Sequence, residues 1–298
     1  MDSVLKEDYM LARLALLLLE CLCRTAVVLG LLLFIMSSAY GQHHQVTDGG
    51  NCHLEPGGES TVLAIAGPLT LHLADGRMVH LAEIFIPASA EKAGLDPSSN
   101  ATAYLRSTAL GRKVEVKFGG SHHDRYGVTI AHIFVAGERP LWLQEGLVNA
   151  GLAQAFPQPD NHTCSKQLAS IEEKARDEHR GYWGLALFRV LPARETRSIL
   201  SVVQTYRIVE GEVSFVTHAA GRTTLHFAEN SKASFTAILE PAAKRRLPEP
   251  NPDDWQGQKV RIRGWIERKK GPTITIIQPE QIEVIQRGPP ERASDSPQ

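Results

Sequence analysis

From residue 60 onward the chain alternates apolar and polar positions in short runs, the period of a strand with one buried face. Runs at 61–67, 69–73 and 78–86 predict three antiparallel strands, with Asp75 and Gly76 in the turn before the third. The period then changes. Ala101, Tyr104, Leu105 and Leu110 recur at helical spacing until Gly111 stops them, and strict alternation returns at 113–118. A turn-rich loop at 119–127 leads to a fifth strand at 129–135, a short helix at 140–149 and a last helix at 165–180, where Leu168, Ile171 and Ala175 share a face. Five strands and three helices in this order predict a mainly β fold with added α, a small barrel of the oligonucleotide/oligosaccharide-binding (OB) type, over residues 59–186.

Residues 187–206 read as a linker. A second alternating region follows at 207–287, with runs at 208–216, 223–227, 233–239, 259–266, 273–277 and 281–285 and almost no helical period. This predicts a second small OB-like β-barrel, with a disordered tail at 288–298.

The N-terminus follows neither period. Residues 25–36 are an unbroken apolar run, and the small residues of 37–41 offer a small-x-small step at Ala39–Gly41. A cleaved signal peptide is one reading of residues 1–41. Extended in either direction the run approaches the roughly 20 residues that span a bilayer, so a retained membrane anchor is the other. Either makes the protein extracytoplasmic, and residues 42–58 then read as a polar linker. Cys21 and Cys23 fall in the apolar segment, leaving Cys52 and Cys164 to pair as a disulfide in an exported domain.

The chain has 298 residues, 43% of them apolar, with 32 Lys and Arg against 33 Asp and Glu. That length suits two domains, each able to bury a core. The balanced charge gives no general attraction to a polyanion. The region 207–287 is mildly basic, and Arg261, Arg263 and Trp265 alternate on one predicted strand face; with Trp265 exposed that face suits a phosphate backbone beside an aromatic platform, and with Trp265 buried the arginines cross-pair with Glu267 or Glu283. Asn100 and Asn161 open glycosylation sequons, and His122, His123 and Asp124 are metal-ligand types crowded on one turn.

Four segments resemble the staphylococcal nuclease, or thermonuclease, family when taken in order: 109–118, His123-Asp124-Arg125-Tyr126-Gly127, 142–153, and Glu172-Glu173-Lys174-Ala175-Arg176 with Gly181-Tyr182-Trp183-Gly184. The resemblance covers roughly 61–186. It implies a Ca²⁺-dependent phosphodiesterase ancestry acting on DNA and RNA, in which two arginines stabilise the charge of the phosphoryl transition state, a glutamate activates water and aspartates hold the metal.

Carried over position by position, the resemblance finds none of these groups. His80 stands at the first arginine, Phe85 at the metal aspartate, Ala88 at the catalytic glutamate and Val128 at the second arginine, and the early aspartate falls near Gly67 or Pro68. Loss of a single preorganised donor typically lowers the rate by about 10²–10³, so the family mechanism should be absent and no cofactor retained. Alternation puts Glu83 on the face of Phe85, and an active enzyme built on Glu83, His80 and Arg77 is the rival reading. Arg125 and Tyr126 remain from the family's nucleotide-contact motif. The expected role is binding, with single-stranded nucleic acid or another extracytoplasmic protein as partner.

Overall fold

The computed structural model describes residues 52–87, 96–228, 233–247 and 251–286. The expected signal or anchor, the tail and Ala88 lie outside the described residues. Among the described residues no helix is long and apolar enough to cross a membrane.

The first eight strands are β1 (Glu55–Gly67), β2 (Thr70–Leu73), β3 (Met78–Leu81), β4 (Ile84–Phe85), β5 (Lys113–Phe118), β6 (Thr129–Val135), β7 (Leu141–Trp142) and β8 (Gln154–Ala155). Strands β3, β2, β1, β5 and β6 neighbour one another in that order, and a parallel β3–β6 pairing closes the ring into a five-stranded barrel. The long β1 makes this possible by pairing with β2 through its second half and with β5 through its first. It begins at Glu55, inside the stretch expected to be a linker. The period is hidden there by a register shift between Pro56 and Glu59, where a Cβ on Gly57 would lie 2.6 Å from the Phe118 ring and Gly58 has φ +85.

Helix α1 (Pro97–Ala109) starts at Asp96, whose Oδ1 accepts the Ser99 N–H at 2.8 Å, and buries Ala101, Leu105 and Ala109. Helices α2 (Leu143–Asn149) and α3 (Ser165–Asp177) close the domain, burying Leu143, Leu147 and Leu168 in the core with Leu71, Leu81, Leu105 and Ile133. Cys52 and Cys164 are joined by a disulfide across 112 residues. Loop-closure entropy assigns such a bridge about 4–5 kcal/mol.

The second region holds β9 (Leu191–Pro192), helix α4 (Thr196–Leu200), β10 (Tyr206–Glu212), β11 (Phe215–Ala219), β12 (Arg222–His226), β13 (Thr236–Leu239), helix α5 (Pro241–Lys244), β14 (Lys259–Trp265), β15 (Glu267–Arg268), β16 (Pro272–Ile276) and β17 (Ile282–Gln286). It is a β domain of two sheets, β17-β14-β10-β9 and β11-β12-β13-β16-β15. Between them lies a second core that includes Val209, Val260 and Ile262 from one sheet and Leu225, Leu239 and Ile274 from the other. The expected linker at 187–206 is built into this domain: β9 pairs in parallel with β10, and Leu191 and Ile199 are buried in the same core. A third cluster of Ala175, Tyr182, Trp183, Phe188 and Ile208 joins the end of α3 to β10. Residues 50–298 thus make one unit with two cores.

Candidate functional site

Strand β3 sets His80 between Thr70 of β2 and Ile130 of β6. Its Nδ1 lies 3.2 Å from Thr70 Oγ1. Burial lowers its pKa below the usual 6.5, with the Asp124 carboxylate acting in the opposite sense. At neutral pH the ring is therefore uncharged, and it lacks the planar cationic fork of an arginine.

After β3 the chain turns at Ala82–Glu83, and Glu83 takes φ +60. That left-handed residue breaks the alternation that was to carry Glu83 onto the face of Phe85. Its carboxylate is fully buried, accepting the Cys164 N–H at 3.0 Å and the Ser165 hydroxyl at 2.5 Å. Arg77, the other charged group of the rival reading, donates to Asp75 at 2.6 Å and to the Gly57 carbonyl at 2.9 Å.

The chain emerges at β4, where pairing with β8 presents Phe85 opposite Gln154. The Phe85 ring centroid lies 5.5 Å from Phe156, 6.0 Å from Tyr206 and 5.6 Å from Trp265. Two of these four rings come from each domain. Calcium requires several oxygen ligands, and a phenyl ring within an aromatic cluster supplies none, so the residues around Phe85 do not fit that ion.

On the loop from Asp124 to Val128, Asp124 Oδ1 accepts the N–H groups of Tyr126 at 2.8 Å and Val128 at 2.9 Å. This holds the turn and leaves Tyr126 75% exposed, with the Arg125 guanidinium 4.8 Å from its ring centroid. His122 stacks on Phe118 at 3.8 Å and its Nε2 is 3.9 Å from Glu55, while Asp124 is turned into its own loop. His122 and Asp124 therefore serve separate contacts.

The arginines of β14 correct the expectation of an open phosphate-binding face. Arg261 donates to Glu210 at 2.6 Å, to Glu173 at 2.7 Å and to Glu283 at 3.1 Å. Burial works against its charge, but the hydrogen bonds to Glu210 and Glu173 outweigh it and raise its pKa. Arg263 is 3% exposed and reaches into the first domain, where Nη1 lies 3.0 Å from Glu172 Oε2 and 3.3 Å from the Ala155 carbonyl. Glu172 also accepts from the Ala155 N–H at 2.7 Å and from Arg176 at 2.6 Å. Trp265, 44% exposed, is the most open of the three. The face that alternation assigns to nucleic acid is thus a charged seam between the two domains.

Barrel closure, helix order and the Asp124–Gly127 turn together frame the comparison with known families. Residues 78–184 match the family model described as Staphylococcal nuclease homologue. This stretch is a staphylococcal nuclease-type domain. No curated protein matches the chain.

Within the nuclease-type domain, Trp142 and Trp183 are buried, as is Trp255 in the second domain, and none of the three offers a free stacking face. Asn161 is buried with its amide donating to the Ser121 carbonyl at 3.2 Å, whereas Asn100 is exposed. Sequence reasoning overlooked Glu172, Phe156 and Tyr206. The signal for Glu172 was present: it shares a helical face with Leu168 and Ala175, and a carboxylate on an apolar face calls for a buried partner.

Proposed function

We propose that this is an extracytoplasmic nuclease-type protein whose catalytic centre has degenerated, and that it binds single-stranded nucleic acid without cutting it. The observation that carries this reading is Phe85. At the position where the family resemblance requires a metal carboxylate, a phenyl ring sits among Phe156, Tyr206 and Trp265. The neutral His80 and the aliphatic Val128 at the two arginine positions support the same conclusion. Arg125 and the exposed Tyr126 are the ligand contacts in this reading, a cation and a π face side by side. The Cys52–Cys164 bond supports the extracytoplasmic location. Residues 1–41 then act as a cleaved signal or a retained anchor, which sequencing the mature N-terminus distinguishes.

The test uses the full chain and labelled single-stranded DNA and RNA, with Ca²⁺ or with chelator, beside a variant carrying His80→Arg, Phe85→Asp, Ala88→Glu and Val128→Arg. The expected result is no cleavage by the natural chain and retention of the strand that weakens with salt. Tyr126→Ala should weaken retention by about 1–3 kcal/mol, the usual scale of one stacked base. Chelator-sensitive cleavage by the natural chain overturns the reading. Absence of both cleavage and retention moves the partner to another extracytoplasmic protein.

A further inference from the structure

The disulfide lies beside two buried groups that the proposed function leaves unused. Glu83 and His132 are both fully buried, with His132 Nε2 3.3 Å from Glu83 Oε1. The ligand atoms of Glu83, His132 and Cys164 all fall within 4.8 Å of one another, and Cys52 Sγ is bonded to Cys164 Sγ. Three side chains of metal-ligand type therefore converge at one point, a sulfur, an imidazole and a carboxylate, and the disulfide tethers a second sulfur, that of Cys52, to the first. Three further features mark the point. His132 Nδ1 is buried and has no hydrogen-bond partner. Residue 119 is glycine, and a Cβ there would stand 3.0 Å from His132 Nε2, 3.1 Å from Leu54 and 3.4 Å from Glu83 Oε1, so any larger side chain would crowd both ligands. Cys164 is the N-cap residue of the 13-residue α3, where the positive helix end favours the thiolate form of its sulfur once the disulfide is reduced.

We propose that reduction of the Cys52–Cys164 disulfide converts this cluster into a tetrahedral site for a zinc-class divalent cation, with Cys52, Cys164, His132 and Glu83 as its ligands. A dithiol or phosphine reductant supplies two electrons. The S–S bond breaks and two thiols form: a dithiol gives up its own two hydrogens and leaves as its disulfide, whereas with a phosphine one water supplies both hydrogens and the oxygen of the departing phosphine oxide. The cation then displaces both thiol protons and is held by two thiolates, the neutral imidazole and the carboxylate. Sulfur, nitrogen and one oxygen suit Zn²⁺ or Co²⁺, whereas Mg²⁺ and Ca²⁺ require oxygen. Zn–S bonds of about 2.3 Å in a tetrahedron ask the sulfurs to separate from roughly 2.0 Å to roughly 3.7 Å. Cys52 is half-buried and precedes β1, so its side chain can swing without moving a strand. The metal would take over the disulfide's task of tying the N-terminal end of the domain to α3. This inference is independent of whether the protein binds or cuts nucleic acid.

Cobalt is the probe, because tetrahedral Co²⁺ bound to thiolate absorbs in the visible and carries a near-ultraviolet charge-transfer band. The full chain with Cys21→Ser and Cys23→Ser is reduced with a phosphine and titrated with Co²⁺, with circular dichroism followed alongside. The expected result is one Co²⁺ per reduced chain, both bands present, displacement by Zn²⁺, and no bands from the oxidised chain. His132→Ala and Glu83→Gln should each weaken binding by about tenfold or more. Gly119→Ala, whose methyl group would stand 3.0 Å from His132 Nε2 and crowd both ligands, should also weaken it. If reduction unfolds the chain, refolding on addition of Co²⁺ supports the site. A folded reduced chain without these bands overturns the proposal, as do bands unchanged in both ligand variants, or a chain that neither binds cobalt nor refolds with it.

Discussion

Single residues decide the chemistry of the nuclease-type domain, and several do so through burial. His80 is a titratable group whose burial favours the neutral ring, so it supplies no fixed cation. Asp75 shows the opposite case at the surface. Hydrogen bonding from the Arg77 side chain lowers its pKa from 3.8 to about 2, which locks the turn between β2 and β3. Because the folded group titrates below its free value, the stabilisation is complete above pH 3.8 and is lost as the pH falls toward 2. A carboxyl titration by NMR should place the Asp75 midpoint near that lower value, and Arg77→Ala should return it to the ordinary range. A midpoint unchanged by the substitution would mean that Arg77 does not hold the carboxylate.

Between elements, the decisive contact is that of α3 with β14. Glu172 joins Arg176 on its own helix to Arg263 on the facing strand, all three buried. Breaking a buried pair typically costs about 3–5 kcal/mol, because a charge is left uncompensated. Glu172→Gln should fall in that range, since it leaves two arginines without their carboxylate, and Arg263→Met should cost less because Glu172 keeps Arg176. In a double-mutant cycle by urea unfolding, the combined variant should lose less than the sum of the two. Strict additivity would show that the seam carries no coupling. The barrel strands β5 and β6 were legible from the period of two alone. The contact was not, because Glu172 and Arg263 are 91 positions apart and no local pattern links them. Short elements also escaped: β9 has two residues, too few to show any period, and the turn at Glu83 broke the alternation on which its assignment depended.

At the scale of the molecule, the second domain completes the first. It contributes Tyr206 and Trp265 to the cluster around Phe85 and Arg263 to the carboxylate of α3, so Phe85 and Glu172 of the nuclease-type domain both face a neighbour on the same chain. The resemblance reads its positions one by one, while the structure sets one of them, Phe85, into the interface between the two domains. The polypeptide also carries its own optical gauge of that interface. Of the four tryptophans, Trp142, Trp183 and Trp255 are buried and Trp265 alone is substantially exposed. Iodide should therefore quench one indole in the native protein, the one seated at the domain boundary. A quenchable fraction that rises in Glu172→Gln at temperatures below global unfolding would report the boundary opening while both cores stay intact. An unchanged fraction would mean that the two domains part only when the whole chain unfolds.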